Sequence, residues 1–406
     1  MLSRRLVLSS LAVRPRHCRM VSAETKEKLQ LFAEKQQTSV SLNTLMHTGM
    51  GLLLPDDADT SDQDAMRCQT AAFLHRELPV RLAHRVRDLQ DMPHGLSGMP
   101  SVVQVRHWYE ESFEEIVSLK QPTTSAEEIA VAEALSNIFT RHADTLIMMA
   151  RGLWEFRKDT PDFDTDIFLP KHDDIHQYYD DFFVSRIGIR VLIQHYLELR
   201  KGREESAGTD YVGIINVKTS AFEVARAAIQ DARYICDREE GEAPRVNIVG
   251  RTDLTFSYVP SHLYYMLTEL LKNSMRATCE KHRDADVLPD IQVIIADGES
   301  NSDVVIKVAD QGGGIPRSDM NKLFNYHYTT AKSRFADLYF DSLTGSADMH
   351  DFGRGSPLAG LGYGLPISRN YARYFGGDLV IVSMEGHGTD AYLHLSRLGD
   401  NSEPLP

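Results

Sequence analysis

Residues 308–316 read VADQGGGIP: an apolar, strand-like run ends in Asp310, and Gly312, Gly313 and Gly314 follow at once. Glycine inside an element costs roughly 0.5–1 kcal/mol relative to alanine. Three in succession imply a turn with positive φ, or a backbone that something else must approach closely. Two further glycine turns lie in the same half of the chain. In GLGYGLPISRNYARYF (360–375), Gly360, Gly362 and Gly364 run straight into a helix. A glycine loop that feeds a helix N-terminus presents backbone N–H groups to an anion. In EGHGTDAYLHL (385–395), Gly386 and Gly388 lead into the last strand, and Thr389 offers a hydroxyl.

Ahead of these turns stands the helix SHLYYMLTELLKNSMRATCEKH, 261–282. Leu263, Leu267, Leu270, Leu271 and Met275 form its apolar stripe. Glu269 and Asn273 are four apart and share a face about one turn from each other. Arg276 adds a cation near that face. Alone, such a pair reads as a solvated helix surface; the glycine turns behind it make it a candidate site.

Residues 25–200 read mostly as helix, with glycine and proline confined to a few breaks. The spacing predicts helices near 64–90, 100–119, 125–158 and 171–201, which together suggest a four-helix bundle. His142 falls on the stripe of the third and reads as a buried bundle histidine. RKGREESAGTD, 200–210, reads as a linker. Beyond it come a helix starting near Thr219 or Ser220 and short β-branched runs: RVNIVG, LTFSYVP, IQVIIAD, DVVIKVAD, DLVIVSME and TDAYLHLSRL. Helices between strands predict an α/β layer with a mixed sheet and helices on one face. The expected fold class is thus α followed by α/β, with domains at 25–200 and 211–400.

The net charge of -14, with no basic stripe interleaved with aromatics, argues against a nucleic-acid partner. No apolar run reaches the ~20 residues of a membrane span. Cys18, Cys68, Cys236 and Cys279 are scattered and form no CxxC pair, which predicts reduced thiols rather than a zinc site or disulfide framework. Residues 1–24 carry Arg4, Arg5, Arg14, Arg16 and Arg19 and no acid before Glu24. That is the composition of a mitochondrial transit peptide.

The glycine turns do not follow the P-loop pattern GxxxxGK[ST], and the protein-kinase set is excluded on the expectation that the chain carries no HRD or DFG motif. ELLKN, DQGGG, LFNYHYTTA and GLGYGL, in that order over 265–390, instead resemble the N, G1, F and G2 boxes of the GHKL ATP-binding superfamily. The resemblance implies a Bergerat α/β sandwich that binds ATP with Mg2+. It implies Asn273 as the Mg2+ ligand, Glu269 as general base and Asp310 as the acid that reads the adenine amino group. Arg276, Gly312, Gly314, Thr329, Thr330 and Thr389 would complete the nucleotide site. Gly360, Leu361, Gly362, Tyr363, Gly364 and Leu365 resemble the loop that cradles the phosphates. Residues 333–356 would be a mobile ATP lid.

ELPVRLAHRV (77–86), GLSGMPSVVQVRHWYEESF (95–113), SRIGIRVLIQHY (185–196) and PLAGLGYGLPISRNYARYFGGDL (357–379) are similar to the mitochondrial protein kinases. Within them the chain most resembles pyruvate dehydrogenase kinases of the plant type. That implies a serine kinase acting on the E1 alpha subunit, docking on the lipoyl domain of E2, homodimerisation and a matrix location. Two positions depart from the animal members: Tyr265 stands where they carry histidine, and their long C-terminal tail is missing. The same chemistry on the branched-chain 2-oxoacid dehydrogenase is the alternative, and a GHKL ATPase scaffold or pseudokinase a remote one.

Overall fold

The computed structural model describes residues 22–50, 63–160, 173–201, 210–298, 303–329 and 361–406. The first half is helical: α1 (Ala23–Ala33), α2 (Leu42–Gly49), α3 (Gln63–Gln90), a 3-10 turn (Pro93–Gly98), α4 (Pro100–Ser118), α5 (Ser125–Arg141), α6 (Thr145–Asp159) and α7 (Asp173–Arg200). Local signals set several starts. Ser22 caps α1, and Thr124 with Glu127 makes a reciprocal capping box on α5. Pro100 opens α4, where its missing N–H costs nothing.

The single helix expected over 125–158 is two. The chain breaks at His142–Asp144 because tertiary groups there outbid helix continuation. Arg186 of α7 donates to the carbonyls of His142 (3.3 Å) and Ala143 (3.4 Å). The His142 ring stacks on Tyr109 at 4.3 Å and bonds the Ser112 hydroxyl at 3.0 Å. Burial pushes its pKa down to about 3, so it is the neutral core histidine that its position on the stripe predicts.

The second half contains β1 (Tyr211–Val212), β2 (Ile215–Ser220), α8 (Ala221–Glu240), β3 (Val246–Gly250), β4 (Thr255–Tyr258) and α9 (Pro260–Lys281). There follow β5 (Ile291–Asp297), β6 (Asp303–Ala309), α10 (Gly364–Tyr374), β7 (Asp378–Met384) and β8 (Gly388–Ser396). Five strands form a sheet in the order β3-β5-β6-β8-β7. Only β3 and β5 pair parallel, so the sheet is mixed, as expected. LTFSYVP joins a separate antiparallel sheet, β1-β2-β4, instead. Alternation sets the faces: Val304, Ile306 and Val308 of β6 point into the core, where α9 packs.

Two buried polar networks tie the halves together through α10. Asn370 donates to Asp180 of α7 (3.1 Å) and to the Tyr326 hydroxyl (3.0 Å), which itself bonds Asp180. Tyr374 donates to Glu403 (2.7 Å), and Arg81 of α3 donates to the same carboxylate through both terminal nitrogens. Glu403 also bonds Val40 through backbone and side chain. A Cβ on Gly188 of α7 would enter this cluster, 2.7 Å from Glu403 and 2.8 Å from Arg81.

Candidate active site

Helix α9 is the floor. Pro260 opens it, and Leu263, Met266, Leu267, Leu270, Leu271 and Met275 bury its stripe. The same pitch turns Glu269, Asn273 and Arg276 toward a cavity of about 530 Å3. Glu269 is 4% exposed. Its Oε1 accepts from Lys272 Nζ at 2.7 Å, and a Cβ on Gly364 would strike Oε2. The base candidate is thus seated between one ammonium and the start of α10. Lys272 was not singled out in the sequence, although its i,i+3 spacing from Glu269 is the signal that could have found it.

Asp310 stands at the end of β6. Its Oδ1 accepts from the Gly312 amide (2.9 Å) and the Thr389 amide (3.2 Å), while its own N–H donates to the Thr389 carbonyl (2.9 Å). Burial raises its pKa from the ordinary aspartate value, and bonds from Gly312, the Ser274 hydroxyl and Thr389 oppose that rise. Ser274 is a second residue that the sequence reading passed over. Thr389 Oγ1 lies 3.0 Å from Ser383 Oγ, which also accepts from the Ile315 amide at 2.7 Å.

The glycine run has a structural answer. A Cβ at Gly312 would fall 2.6 Å from the Cβ of Ala277 on α9. Gly313 (φ 88°) and Gly314 (φ 71°) hold left-handed backbone, and a Cβ on Gly314 would strike the Met384 carbonyl at the end of β7. The space left by these missing side chains is taken by α9 and the β7–β8 turn. The three glycines nevertheless line the cavity themselves, beside Asp310.

Of the expected phosphate loop, Gly362, Gly364 and Leu365 line the cavity, as does Thr329. The Leu361 and Tyr363 side chains do not face it. Both are buried, and the Tyr363 ring packs 5.3 Å from Tyr326 and 6.3 Å from Phe183 of α7. α10 starts at Gly364 with no side-chain cap, which leaves its first N–H groups for another acceptor. Thr330, Gly360 and the lid expected over 333–356 lie outside the described residues.

Tripeptides HRD and DFG do occur in the sequence, at 282–284 and 351–353. The first lies in the turn that ends α9, where His282 Nε2 bonds the Gln311 carbonyl at 2.9 Å. The second lies outside the described residues.

A carboxylate base candidate, an amide oxygen one turn on, a backbone-held aspartate and an uncapped helix start thus enclose one cavity beneath a mixed sheet. Fold and site together define an ATPase domain of the histidine-kinase type. Residues 258–398 match the family described as histidine kinase-, DNA gyrase B-, and HSP90-like ATPase. Residues 39–216 match the family described as mitochondrial branched-chain alpha-ketoacid dehydrogenase kinase. The chain is 44% identical to the mitochondrial [pyruvate dehydrogenase (acetyl-transferring)] kinase of Arabidopsis thaliana, over 96% of this chain and 98% of that one. It is 32% identical to the kinase of that name from Schizosaccharomyces pombe, over 94% and 98%. The Drosophila melanogaster kinase is 38% identical, over 84% and 81%. The chain belongs to the mitochondrial pyruvate dehydrogenase kinase family.

Proposed function

We propose that this chain transfers the terminal phosphoryl group of ATP to serine on the E1 alpha subunit of the pyruvate dehydrogenase complex and so inactivates it. The observation that carries this reading is that Glu269 and Asp310 line one cavity in a chain similar to two such kinases over at least 94% of its length and to a third over 84%. Asp310 would accept from the adenine amino group. The start of α10 would receive the phosphates. Glu269 would take the serine proton, the step for which a positioned carboxylate is suited.

Mg2+ fits the donor set. Asn273 turns a neutral oxygen donor into the cavity, and no cluster of three His, Cys, Asp or Glu occurs among the described residues. Mg2+ commonly takes one or two protein oxygens and leaves the rest to phosphates and water. When bound it would neutralise phosphate charge; the chain's own residues position and deprotonate.

The reading extends to a mitochondrial matrix location with residues 1–24 as transit peptide, a docking half over 25–200 that binds the lipoyl domain of E2, and a catalytic half over 211–400. A homodimer through the catalytic half is supported by Val382 and Met384, apolar and exposed on the edge strand β7. The branched-chain 2-oxoacid dehydrogenase remains the second substrate reading, because the match over 39–216 carries that description.

Labelled phosphate transfer from Mg·ATP to purified pyruvate and branched-chain E1 proteins, side by side, tests the proposal. Acid-stable label on pyruvate E1 alone is expected. Label on branched-chain E1 alone would replace the substrate, and no label on either would overturn kinase function.

A further inference from the structure

The cysteines that are scattered in sequence are not all scattered in space. Cys236 of α8 and Cys279 of α9 bring their sulfurs to 3.7 Å. Both lie within reach of one acceptor, the Glu242 carbonyl, at 3.4 and 3.5 Å. Both side chains are buried. A disulfide has its sulfurs about 2.0 Å apart, so closure asks for a shift of under about 2 Å across a helix pair. A small opening beside Cys236 is also lined by Glu269, Lys272, Asn273 and Arg276. Cys236 therefore borders residues of α9 that also line the larger cavity, beside an opening that a small oxidant could enter.

We propose that Cys236 and Cys279 are a reversible disulfide site, closed by hydrogen peroxide and opened by dithiols, and that closing it weakens nucleotide binding in the adjoining cavity. One thiolate sulfur attacks a peroxide oxygen; the O–O bond breaks, giving a sulfenic acid and hydroxide. The second sulfur attacks the sulfenic sulfur, and its S–O bond breaks. Each of these two displacements releases one hydroxide derived from the peroxide, and the two thiol protons convert the two hydroxides into two waters. Burial raises both thiol pKa values, so the thiolate is scarce near neutrality and closure speeds up with pH.

Cys279 follows Ala277 and Thr278, the turn of α9 packed against Gly312. Drawing that turn toward α8 loosens the Gly312 contact, and with it the amide that holds Asp310. The link to nucleotide rests on the ATP reading of the cavity; the disulfide does not.

The test uses the full chain, treated with peroxide at mildly alkaline pH, unfolded and labelled with maleimide. Wild type is expected to lose the mass of two hydrogens, to protect both thiols and to recover them with dithiothreitol. ATP titration by calorimetry should show several-fold weaker binding after oxidation. Cys279→Val should bind ATP like reduced wild type, before and after peroxide. Cys18 and Cys68 should stay labelled in either case; label still on Cys236 and Cys279 after treatment, or oxygen added to either of them in place of lost hydrogen, overturns the site. A disulfide that leaves ATP affinity unchanged overturns the switch. Reduced protein that binds no ATP sinks the nucleotide reading, while the mass measurement still decides the disulfide.

Discussion

The candidate base works through its surroundings. Glu269 is nearly fully buried, with the Lys272 ammonium on Oε1 and the Gly364 backbone against Oε2. Glu269→Gln keeps this shape and removes the basicity. It should retain ATP affinity by calorimetry and lose transfer by roughly 10²–10⁴-fold. One turn earlier, the Tyr265 hydroxyl is buried with no hydrogen-bond partner among the described residues. Burial, and then the Glu269 charge, raise its pKa well above the ordinary value. A hydroxyl left unpaired costs roughly 1–3 kcal/mol. Tyr265→Phe should therefore raise the denaturation midpoint and leave kcat within a few-fold of wild type. A large fall in kcat would show that this hydroxyl reaches the reacting groups during turnover.

At the scale of elements, α10 is the part on which the others converge. Its first residue lies against Glu269, its middle bonds Asp180 and Tyr326, and its last residue bonds Glu403. Gly364→Ala would drive a methyl group into the Glu269 carboxylate. Overpacking of this kind costs roughly 1–3 kcal/mol, and the displaced carboxylate should lower activity at least as much as stability. Parallel thermal melts and transfer assays of the variant check both.

Elements also show what a chain reveals before it folds. The stripe of α9, the strands of the main sheet and the glycine turns were legible because each is written in neighbouring residues with a fixed period. The break at His142 was not, since Arg186 causes it from another helix. The sheet made by β1, β2 and β4 was not, because strand propensity carries no address. In the candidate site, Glu269, Asn273 and Asp310 could be picked out by type and spacing. Ser274 and Ser383 could not, because only the folded backbone brings them to Asp310 and Thr389. Tyr363 was picked out by its place in the glycine loop, yet its side chain serves the contact with α7.

At the scale of the molecule, the halves share buried charge. Arg81 is fully enclosed; burial works against its charge, and Glu403 first, with Tyr374 and Glu77, more than offsets that. Glu403→Ala would leave Arg81 with Glu77 and the Thr38 carbonyl. Breaking a buried pair costs roughly 3–5 kcal/mol, so the denaturant midpoint should fall sharply, where removal of the exposed Glu24 near Lys28 should change little. Acid acts on the whole fold too. Burial holds His142 and His262 at about 3, and His195 and His327 at about 4. The unfolded chain takes up these protons near pH 6.5, before the native state can. Native stability should therefore fall as pH drops from about 6.5 toward 4, a decline that melting scans in a pH series will show.

Glu403 stands 322 positions beyond the Arg81 it neutralises. In a chain that emerges or is threaded N-terminus first, α3 is available long before this carboxylate arrives. Until then the arginine has only Glu77 of its own helix as counter-charge, and burying it in the helical half is costlier. The order of synthesis and the order of burial are thereby opposed: Arg81 of α3 waits on a residue 322 positions later. Vectorial passage would keep the early half loose, and so still threadable, until almost all of the described sequence has come through.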